Sequence, residues 1–265
     1  MKDLETYYEQ LRKAAQKVTS ILSNKKKKKP MSRKNKNTKL NGSGPTLKLK
    51  SIVALTENQD RTFEAFYNGK NLLLHGFAGT GKTFLSLYLS LRELYQHDTP
   101  YHRLLIVRSA VPARDLGFMP GSLEEKVELY EAPYKSICYE ITGNPKAYEE
   151  LKRLGLIEFV STSYIRGTTL NDCIVIVDEI QNCDFGELST IVTRLGRNCK
   201  IIFCGDFRQS DFRNHEFTSK KDVHNFMSII KRMKNDFEVI EFGINDIVRH
   251  PLVKNFIILT EQMGL

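Results

Sequence analysis

Residues 76–83 read Gly76-Phe77-Ala78-Gly79-Thr80-Gly81-Lys82-Thr83 and match the pattern G-x-x-x-x-G-K-T. The apolar run 71–75 precedes this stretch, and a helix-like segment, 84–95, follows it. That order of strand, loop and helix is the setting of a phosphate-binding P-loop, which makes a chance glycine-rich turn the weaker interpretation. The sequence therefore predicts an α/β domain that binds a nucleoside triphosphate through these eight residues.

The residue types in this loop suit phosphate chemistry. Glycines let backbone N–H groups curl around phosphate oxygens, and the N-terminus of the following helix adds partial positive charge. Lys82 is expected to reach the β and γ phosphates, and Thr83 to offer its hydroxyl to Mg²⁺. The expected cofactors are therefore a nucleoside triphosphate and Mg²⁺.

The charge of the chain is concentrated at its N-terminal end. The chain has 265 residues, of which 41% are hydrophobic, enough for a substantial core. Residues 1–50 hold 15 basic and 3 acidic residues, a net charge of +12, whereas residues 51–265 hold 25 and 28, a net charge of −3. The excess positive charge thus belongs to an N-terminal tail and not to the folded domain.

Cysteine usage and hydropathy indicate a cytoplasmic protein. The five cysteines form no C-x-x-C pair and have no histidine at metal-ligand spacing, so reduced, mostly buried thiols are expected. No stretch approaches the roughly 20 consecutive apolar residues of a membrane span, and the N-terminus lacks the apolar region of a signal peptide. We expect no association with a membrane.

The tail divides into two parts, a predicted amphipathic helix over 1–24 and a basic flexible linker over 25–50. Spacings of four and three residues line one face of the helix, as in about three heptads. Such a helix needs a partner, which is either another helix in a coiled coil or the chain's own folded domain. The apolar positions are Leu4, Tyr8, Leu11, Ala15, Val18 and Leu22.

A run of five lysines opens the linker, and the residues that follow it up to Lys50 include no acidic one. Each phosphate that a lysine neutralises releases counterions, so binding to nucleic acid without sequence preference is the favoured interpretation. A merely solvated charge run and a nuclear-import patch are the alternatives. The run consists of Lys25, Lys26, Lys27, Lys28 and Lys29.

From residue 51 onward, short apolar runs alternate with helical segments. This alternation predicts one three-layer α/β domain over 51–265, with a central, mainly parallel sheet covered on both faces. The predicted strands are 71–75, 103–108, 156–160, 173–177, 200–204 and 237–241. The predicted helices are 57–67, 82–96, 122–142, 145–154, 185–195 and 222–234.

A second acidic motif accompanies the P-loop. Asp178 and Glu179 close the apolar strand that begins at Cys173. Asp178 is expected to hold Mg²⁺ and Glu179 to orient or deprotonate the attacking water, although such a pair could instead cap a helix. Gln209, after the next strand, could sense the γ-phosphate or belong to an ordinary turn, and Gln59 could pair with adenine.

Five ordered motifs resemble the PhoH-like proteins, which are phosphate-starvation-inducible ATPases. The resemblance covers about residues 52–260 and implies a RecA-like ATP-binding core related to superfamily 1 helicases. It also implies a homo-oligomer in the form of a hexameric ring and a role directed at single-stranded RNA. The motifs read GFAGTGKT, VRSAVPARDLGFMPG, SYIRGTTLNDCIVIVDEIQN, LGRNCKIIFCGDFRQSDF and DIVRHPLV.

The resemblance assigns roles to particular positions. Lys82 and Thr83 resemble the phosphate and Mg²⁺ ligands, Asp178 and Glu179 the second acidic motif, Gln209 the sensor and Gln59 the adenine reader, while Arg249 lies in the late arginine motif. The chain departs from the family pattern at four places, and these departures affect the loops that would face a polymer. They are Phe77, Ser109, the run Arg166-Gly167-Thr168-Thr169, and the pair Phe212-Arg213.

The chain has room for one RecA-like domain, whereas superfamily 1 helicases close two such domains around ATP. Because an arginine finger contributes roughly 10³-fold or more in rate, we expect a neighbouring subunit to present Arg249, or else Arg166 or Arg194. A structural salt bridge is the alternative role for Arg249. Loops 107–121 and 163–171 are the candidate polymer contacts, through Arg108, Arg114 and Arg166.

Two functions follow from these expectations. In the first, the chain is an ATPase that moves or remodels RNA, as an RNA helicase would. In the second, it is a nucleotide-gated nucleic-acid-binding or scaffold module with little unwinding activity.

Overall fold

Six parallel strands form the centre of the fold in the computed structural model, which describes residues 48–96, 98–109, 123–206 and 218–263. Their order across the sheet is β3-β2-β4-β5-β1-β6, and all five pairings are parallel. Each predicted strand is present, with its bounds within one residue. The strands are β1 (Asn71–Gly76), β2 (Arg103–Arg108), β3 (Ile157–Ser161), β4 (Cys173–Asp178), β5 (Cys199–Gly205) and β6 (Phe237–Phe242).

Eight α-helices are described, together with short 3-10 turns at Ile180–Asn182 and Ile244–Asp246. All six predicted helices are present, and two further helices, α5 and α8, were not predicted. The helices are α1 (Glu57–Tyr67), α2 (Lys82–Leu94), α3 (Leu123–Thr142), α4 (Ala147–Arg153), α5 (Thr162–Ile165), α6 (Phe185–Thr193), α7 (Thr218–Arg232) and α8 (Pro251–Gln262).

Several predictions fall outside the described residues. These are the helix over 1–24, nearly all of the linker, the loop that follows β2 and the loop that follows β5. Among the candidate site residues they include Arg114, Gln209 and Lys25 to Lys29.

The strands are apolar on both sides because helices cover both faces of the sheet. Every residue of β4 is buried. Alternate residues along β1 enter different cores: Leu72 and Leu74 pack with residues of α1 to α4, whereas Leu73 packs with residues of α6 and α7. The fold is therefore the predicted three-layer α/β architecture with a parallel central sheet.

The chain contacts the folded domain from Leu49 onward. Leu49 and Ile52 pack against the core on the α1 to α4 side. The Lys50 N–H donates to the Ile141 carbonyl at 2.9 Å, and the Ile52 N–H donates to the Tyr88 hydroxyl at 3.2 Å. These contacts fix the backbone at Lys50 and Ile52, and the segment 52–55 then lies at the carboxyl edge of the sheet.

The five cysteines are free thiols, four of them buried and Cys199 partly exposed. Cys173 and Cys199 face each other on paired strands, with their sulfur atoms 3.8 Å apart. Burial raises the pKa of the Cys173 thiol to about 12, which makes it a weak nucleophile. In the described part of the chain, no helix is at once long and apolar enough to cross a bilayer.

Candidate nucleotide-binding site

The loop between β1 and α2 has the backbone of a phosphate cradle. Gly76, Gly79 and Gly81 have φ angles of +117°, +73° and +88°. A Cβ on Gly76 would lie 2.1 Å from the Phe242 carbonyl oxygen of β6, so only glycine lets these strands pair this closely. Gly81 caps α2 without a side-chain hydrogen bond, which leaves N–H groups at the start of the helix available to an anion.

Lys82 lies inside this loop and not in solvent. Its ammonium donates to the Gly76 carbonyl at 2.9 Å and to the Phe77 carbonyl at 2.6 Å, and the residue is only 9% exposed. Burial lowers the pKa of Lys82, although the negative charges of Asp206, Glu179 and Asp178 oppose that shift. The cation is thus held where the phosphates of a nucleotide would need it.

Thr83 and Asp178 bring the two sequence motifs together. The Thr83 hydroxyl donates to Asp178 Oδ1 at 2.9 Å, and the hydroxyl of Tyr134 in α3 donates to Asp178 Oδ2 at 2.9 Å. Burial raises the pKa of Asp178, as does the nearby charge of Glu179, while these two hydrogen bonds and Arg108 act in the opposite direction. Both carboxylate oxygens are therefore oriented by donors from different helices.

The donor set fits Mg²⁺. A threonine hydroxyl and one carboxylate are hard oxygen ligands, and Mg²⁺ is usually held by one or two carboxylates together with substrate phosphates. Within the described ranges no group of three or more histidine, cysteine, aspartate or glutamate side chains could hold a metal by itself. The arrangement suits a metal that arrives with a nucleotide.

Glu179 begins the turn after β4 in a left-handed conformation, with a φ angle of +55°. This region is sparsely populated by residues other than glycine and asparagine, and such strain concentrates at functional sites. The Gln181 amide donates to Glu179 Oε2, and Gln181 Oε1 accepts from the Asp206 N–H at 3.1 Å. Gln181 thus fixes the Glu179 carboxylate against the end of β5.

Gln59 contacts the P-loop from α1. Its Oε1 atom accepts from the Leu55 N–H at 2.8 Å, its Nε2 atom donates to the Thr80 carbonyl at 3.0 Å, and it is 3% exposed. The amide therefore ties segment 52–55 to the phosphate loop, and one donor hydrogen and one acceptor lone pair remain available for a base. Its role as the adenine reader stays a prediction.

Arg249 lies against the P-loop of its own chain. The Val248 N–H donates to the Gly79 carbonyl at 3.1 Å, and a Cβ on Gly79 would lie 2.6 Å from Arg249 Cγ. The sequence-based expectation was that a neighbouring subunit presents this arginine. That expectation stays a prediction, and the contact with Gly79 also places Arg249 at the cavity of its own chain.

These elements enclose one cavity of about 440 Å³. Its polar wall consists of the P-loop with Lys82 and Thr83, the acidic ends of β4 and β5, and Arg249. Its apolar wall is formed by residues from the segment before α1, from α2 and α3, and by Val248. A phosphate cradle beside an apolar wall is the chemistry that a nucleotide requires, with the base on the apolar side.

The other predicted arginines take different positions. Arg108, at the end of β2, is paired in register with Asp178, and its guanidinium lies 5.4 Å from the centre of the Tyr130 ring. Arg166 is exposed directly after α5, the short helix that follows β3, and Tyr164 within that helix is 65% exposed. Arg194 lies at the opposite edge, where its carbonyl accepts from the Leu170 N–H.

Glu187 links three segments that follow the carboxyl ends of β2, β3 and β4. Its carboxylate accepts from the hydroxyl of Ser109 after β2, from the hydroxyl of Thr162 in α5, and from the Asp184 N–H in a capping box. The candidate polymer-facing segments are thus tied to the helix that follows the acidic motif.

Sequence reasoning did not find Tyr134, Gln181 or Glu187 as site residues. Tyr134 carries no local signal, because its contact with Asp178 spans 44 positions. Gln181 stands two residues after Glu179 in the quoted DEIQN motif, so its position next to the acidic pair was a usable signal. Asp184 and Glu187 have capping-box spacing, which predicts a helix start but not the contacts to Ser109 and Thr162.

Comparison with known families and proteins agrees with this site. The family model described as "PhoH-like protein" matches residues 51–261. The chain belongs to the PhoH-like family. It is 38% identical over 210 residues to the PhoH-like protein of Synechocystis and 34% identical over 212 residues to that of Bacillus subtilis. Family and geometry together support a P-loop ATPase site.

The relatives are longer than the matched region. These alignments cover 78% of this chain but 61% of the Synechocystis protein and 63% of the Bacillus protein. Among solved structures, the Pif1 helicase from Candida albicans aligns over 80% of this chain and 44% of its own, with 17% identity and a TM-score of 0.37.

Proposed function

We propose that this chain binds ATP with Mg²⁺ in the cavity around the P-loop and hydrolyses it. The observation that carries the proposal is the 2.9 Å hydrogen bond from Thr83 to Asp178, which joins the phosphate loop and the acidic motif in one partly buried site. A structural turn would not need a buried lysine, a buried carboxylate and a strained glutamate within the same cavity.

The residues of the chain divide the chemistry among them. Lys82 and the N–H groups at the start of α2 bind phosphate oxygens, and Thr83 and Asp178 hold Mg²⁺, which supplies positive charge to the phosphates when bound. Glu179 accepts a proton from, or orients, the attacking water, while Gln181 keeps its carboxylate in place. Arg249 stabilises negative charge on the phosphates from its position against Gly79.

The proposal extends to a polymer. ATP turnover acts on nucleic acid, with single-stranded RNA favoured, in a homo-oligomeric ring of six subunits. Nucleic-acid binding is supported by Arg166, which is exposed directly after α5, and by the predicted basic linker, whereas the ring is what the resemblance to the PhoH-like family implies. The alternative is a nucleotide-gated nucleic-acid-binding or scaffold module with little unwinding.

Glu179→Gln tests the catalytic assignment. Removing a general base costs about 10²-fold to 10⁴-fold in rate, so kcat should fall by that factor while ATP binding remains. Glu158→Gln is the matched control, since Glu158 lies on the edge strand β3 in an exposed ion pair with Arg103 and should keep normal turnover. Nucleotide binding by fluorescence and phosphate release would be measured in the same preparations.

Single-stranded RNA added to the wild-type chain separates the two candidate functions. Stimulation of phosphate release by RNA supports the remodelling ATPase, whereas RNA binding that changes with nucleotide but leaves turnover unchanged supports the scaffold module. Normal turnover by Glu179→Gln would contradict the catalytic assignment under either function.

A further inference from the structure

Helix α8 carries an apolar face that the described part of the domain leaves uncovered. No residue of this helix is buried, and the exposed fractions are 71% for Leu252, 66% for Phe256, 56% for Leu259 and 70% for Met263 just beyond its end. These four residues, here termed the α8 outer face, are separated by four, three and four positions. Ile257 and Ile258, by contrast, are partly buried.

The spacing indicates what kind of surface would cover this face. Apolar residues at alternating intervals of four and three form the narrow seam that one helix presents to another, as in a coiled coil. A cluster of large apolar side chains exposed in this way marks an interaction site more often than an ordinary surface. A second helix with a matching seam is therefore the expected occupant.

The chain contains such a helix outside the described residues. The segment 4–22 repeats the same spacing with six apolar residues, and its predicted helix needs a partner to cover them. Most of the stability of a helix in a protein comes from packing of its apolar face, so the segment is expected to pack against a partner. Residues 251–263 contain one lysine and one glutamate, so this surface does not repel the basic residues near the segment.

The linker between the two seams is long enough for them to meet within one chain. Twenty-five residues separate Leu22 from Lys48. A flexible chain of that length spans about 25–30 Å on average, and about 80–90 Å when fully extended. Ile52 and Val53 line the same cavity as Arg249, and α8 starts two residues after Arg249.

We propose that residues 4–22 form a helix that packs on the α8 outer face of the same chain. The lysine run Lys25 to Lys29 directly follows this segment and is thereby held near the rim of the nucleotide cavity. This role rests on the proposed function: the basic linker then works as a positioned arm that holds nucleic acid beside the ATPase domain, in place of a freely moving tail. The packing does not depend on nucleotide.

Cross-linking within the full chain tests the pairing. The double variant Leu11→Cys and Phe256→Cys, treated with a short bismaleimide without nucleotide, should give a product with the mass of one chain and a link between residues 11 and 256. Wild type and each single variant report the background from the native thiols, of which only Cys199 is partly exposed. A product with the mass of two chains linked at these positions would overturn the proposal, because a second copy would then cover the face.

Hydrogen exchange provides a second measurement that does not require new cysteines. Leu11→Glu should speed the exchange of amides in 4–22 by about tenfold or more, and also speed that of α8 amides, because each helix protects the other. Gln10→Glu, which lies outside the apolar seam at about 100° around the predicted helix from Leu11, is the matched control and should leave both regions unchanged. Exchange in α8 that is the same in wild type and Leu11→Glu would overturn the proposal.

Discussion

Asp178 is a carboxylate that the fold buries beside a second one. Hydroxyl donors from Thr83 and Tyr134 orient it, but they do not offset the cost of burying its charge next to Glu179, and its pKa is raised. A bound metal would favour the ionised form of such a group. The negative charge of Asp178 suits it to bind Mg²⁺. In the protein without metal, the same charge lowers the free energy of unfolding.

The substitution Asp178→Asn should accordingly stabilise the protein and abolish its response to Mg²⁺. Because the folded-state pKa is raised, Asp178 favours folding at low pH, and this contribution is lost as the pH rises through that pKa. Without metal at about pH 8, we expect a gain of about 1 kcal/mol, or about 2–4 °C in Tm. Thermal unfolding from about pH 8 down to about pH 4 should show the gain disappearing on acidification.

Asp172→Asn is the control of opposite sign. Hydrogen bonds from Asn198 lower the pKa of Asp172, with the charge and hydrogen bond of Arg197 acting in the same direction. This contribution to stability is present above the unfolded pKa and is lost as the pH falls. The Asp172→Asn variant should therefore lose stability near neutral pH, and an Asp178→Asn variant that is less stable than wild type throughout the pH range would refute the interpretation.

At the scale of elements, the P-loop and the segment before α8 form one unit. Gly79 contacts both Val248 and Arg249, so a change in the loop should move the arginine. Gly79→Ala adds a methyl group 2.6 Å from Arg249 Cγ at a φ angle of +73°. We expect ATP affinity to fall by about tenfold or more, because the loop or Arg249 must shift away from the phosphates.

Gly155→Ala separates that effect from backbone strain. Gly155 has a φ angle of +70°, and a Cβ there would meet nothing within 4 Å. Both variants should lose stability, by about 1–2 kcal/mol for a left-handed non-glycine residue. Only Gly79→Ala should lose ATP affinity in a titration, and equal affinities for the two variants would show that Arg249 does not depend on the loop.

The sequence predicted all six strands but missed two helices, α5 and α8. Strands β1, β2 and β4 are continuous apolar runs, and the other three are short apolar runs with one or two charged residues, so all six sets of bounds were readable to within one residue. Helix α8 was missed because its apolar residues face outward, whereas amphipathic patterns are assigned on the assumption of burial. The ligands of ATP and Mg²⁺ lie in local motifs, but Tyr134 and Glu187 act through contacts that only the folded chain creates.

At the scale of the whole molecule, charge and fold occupy separate parts of the chain. Residues 51–265, with a net charge of −3, contain the ATP site, whereas residues 1–50, with +12, contain the predicted helix and the basic linker. An acidic domain alone would repel a polyanion at long range. Sequence-independent attraction to nucleic acid should therefore depend on the tail, while ATP hydrolysis in the absence of nucleic acid should not.

Replacing Lys25 to Lys29 with glutamine in the full chain tests this division. For single-stranded RNA, each phosphate contact contributes about 0.7 to the slope of log Kobs against log salt concentration. Five lost contacts should reduce the magnitude of that slope by up to about 3.5, with basal turnover unchanged. Filter binding to an RNA homopolymer over a range of KCl concentrations measures the slope.

The control removes five exposed charges of the folded domain by glutamine substitution, at Lys146, Arg153, Lys231, Arg232 and Lys234. If phosphate contacts by the lysine run cause the salt dependence of RNA binding, the control should keep most of the slope, because scattered charges form few close contacts. An equal loss of slope in both variants would mean that net charge alone attracts the RNA.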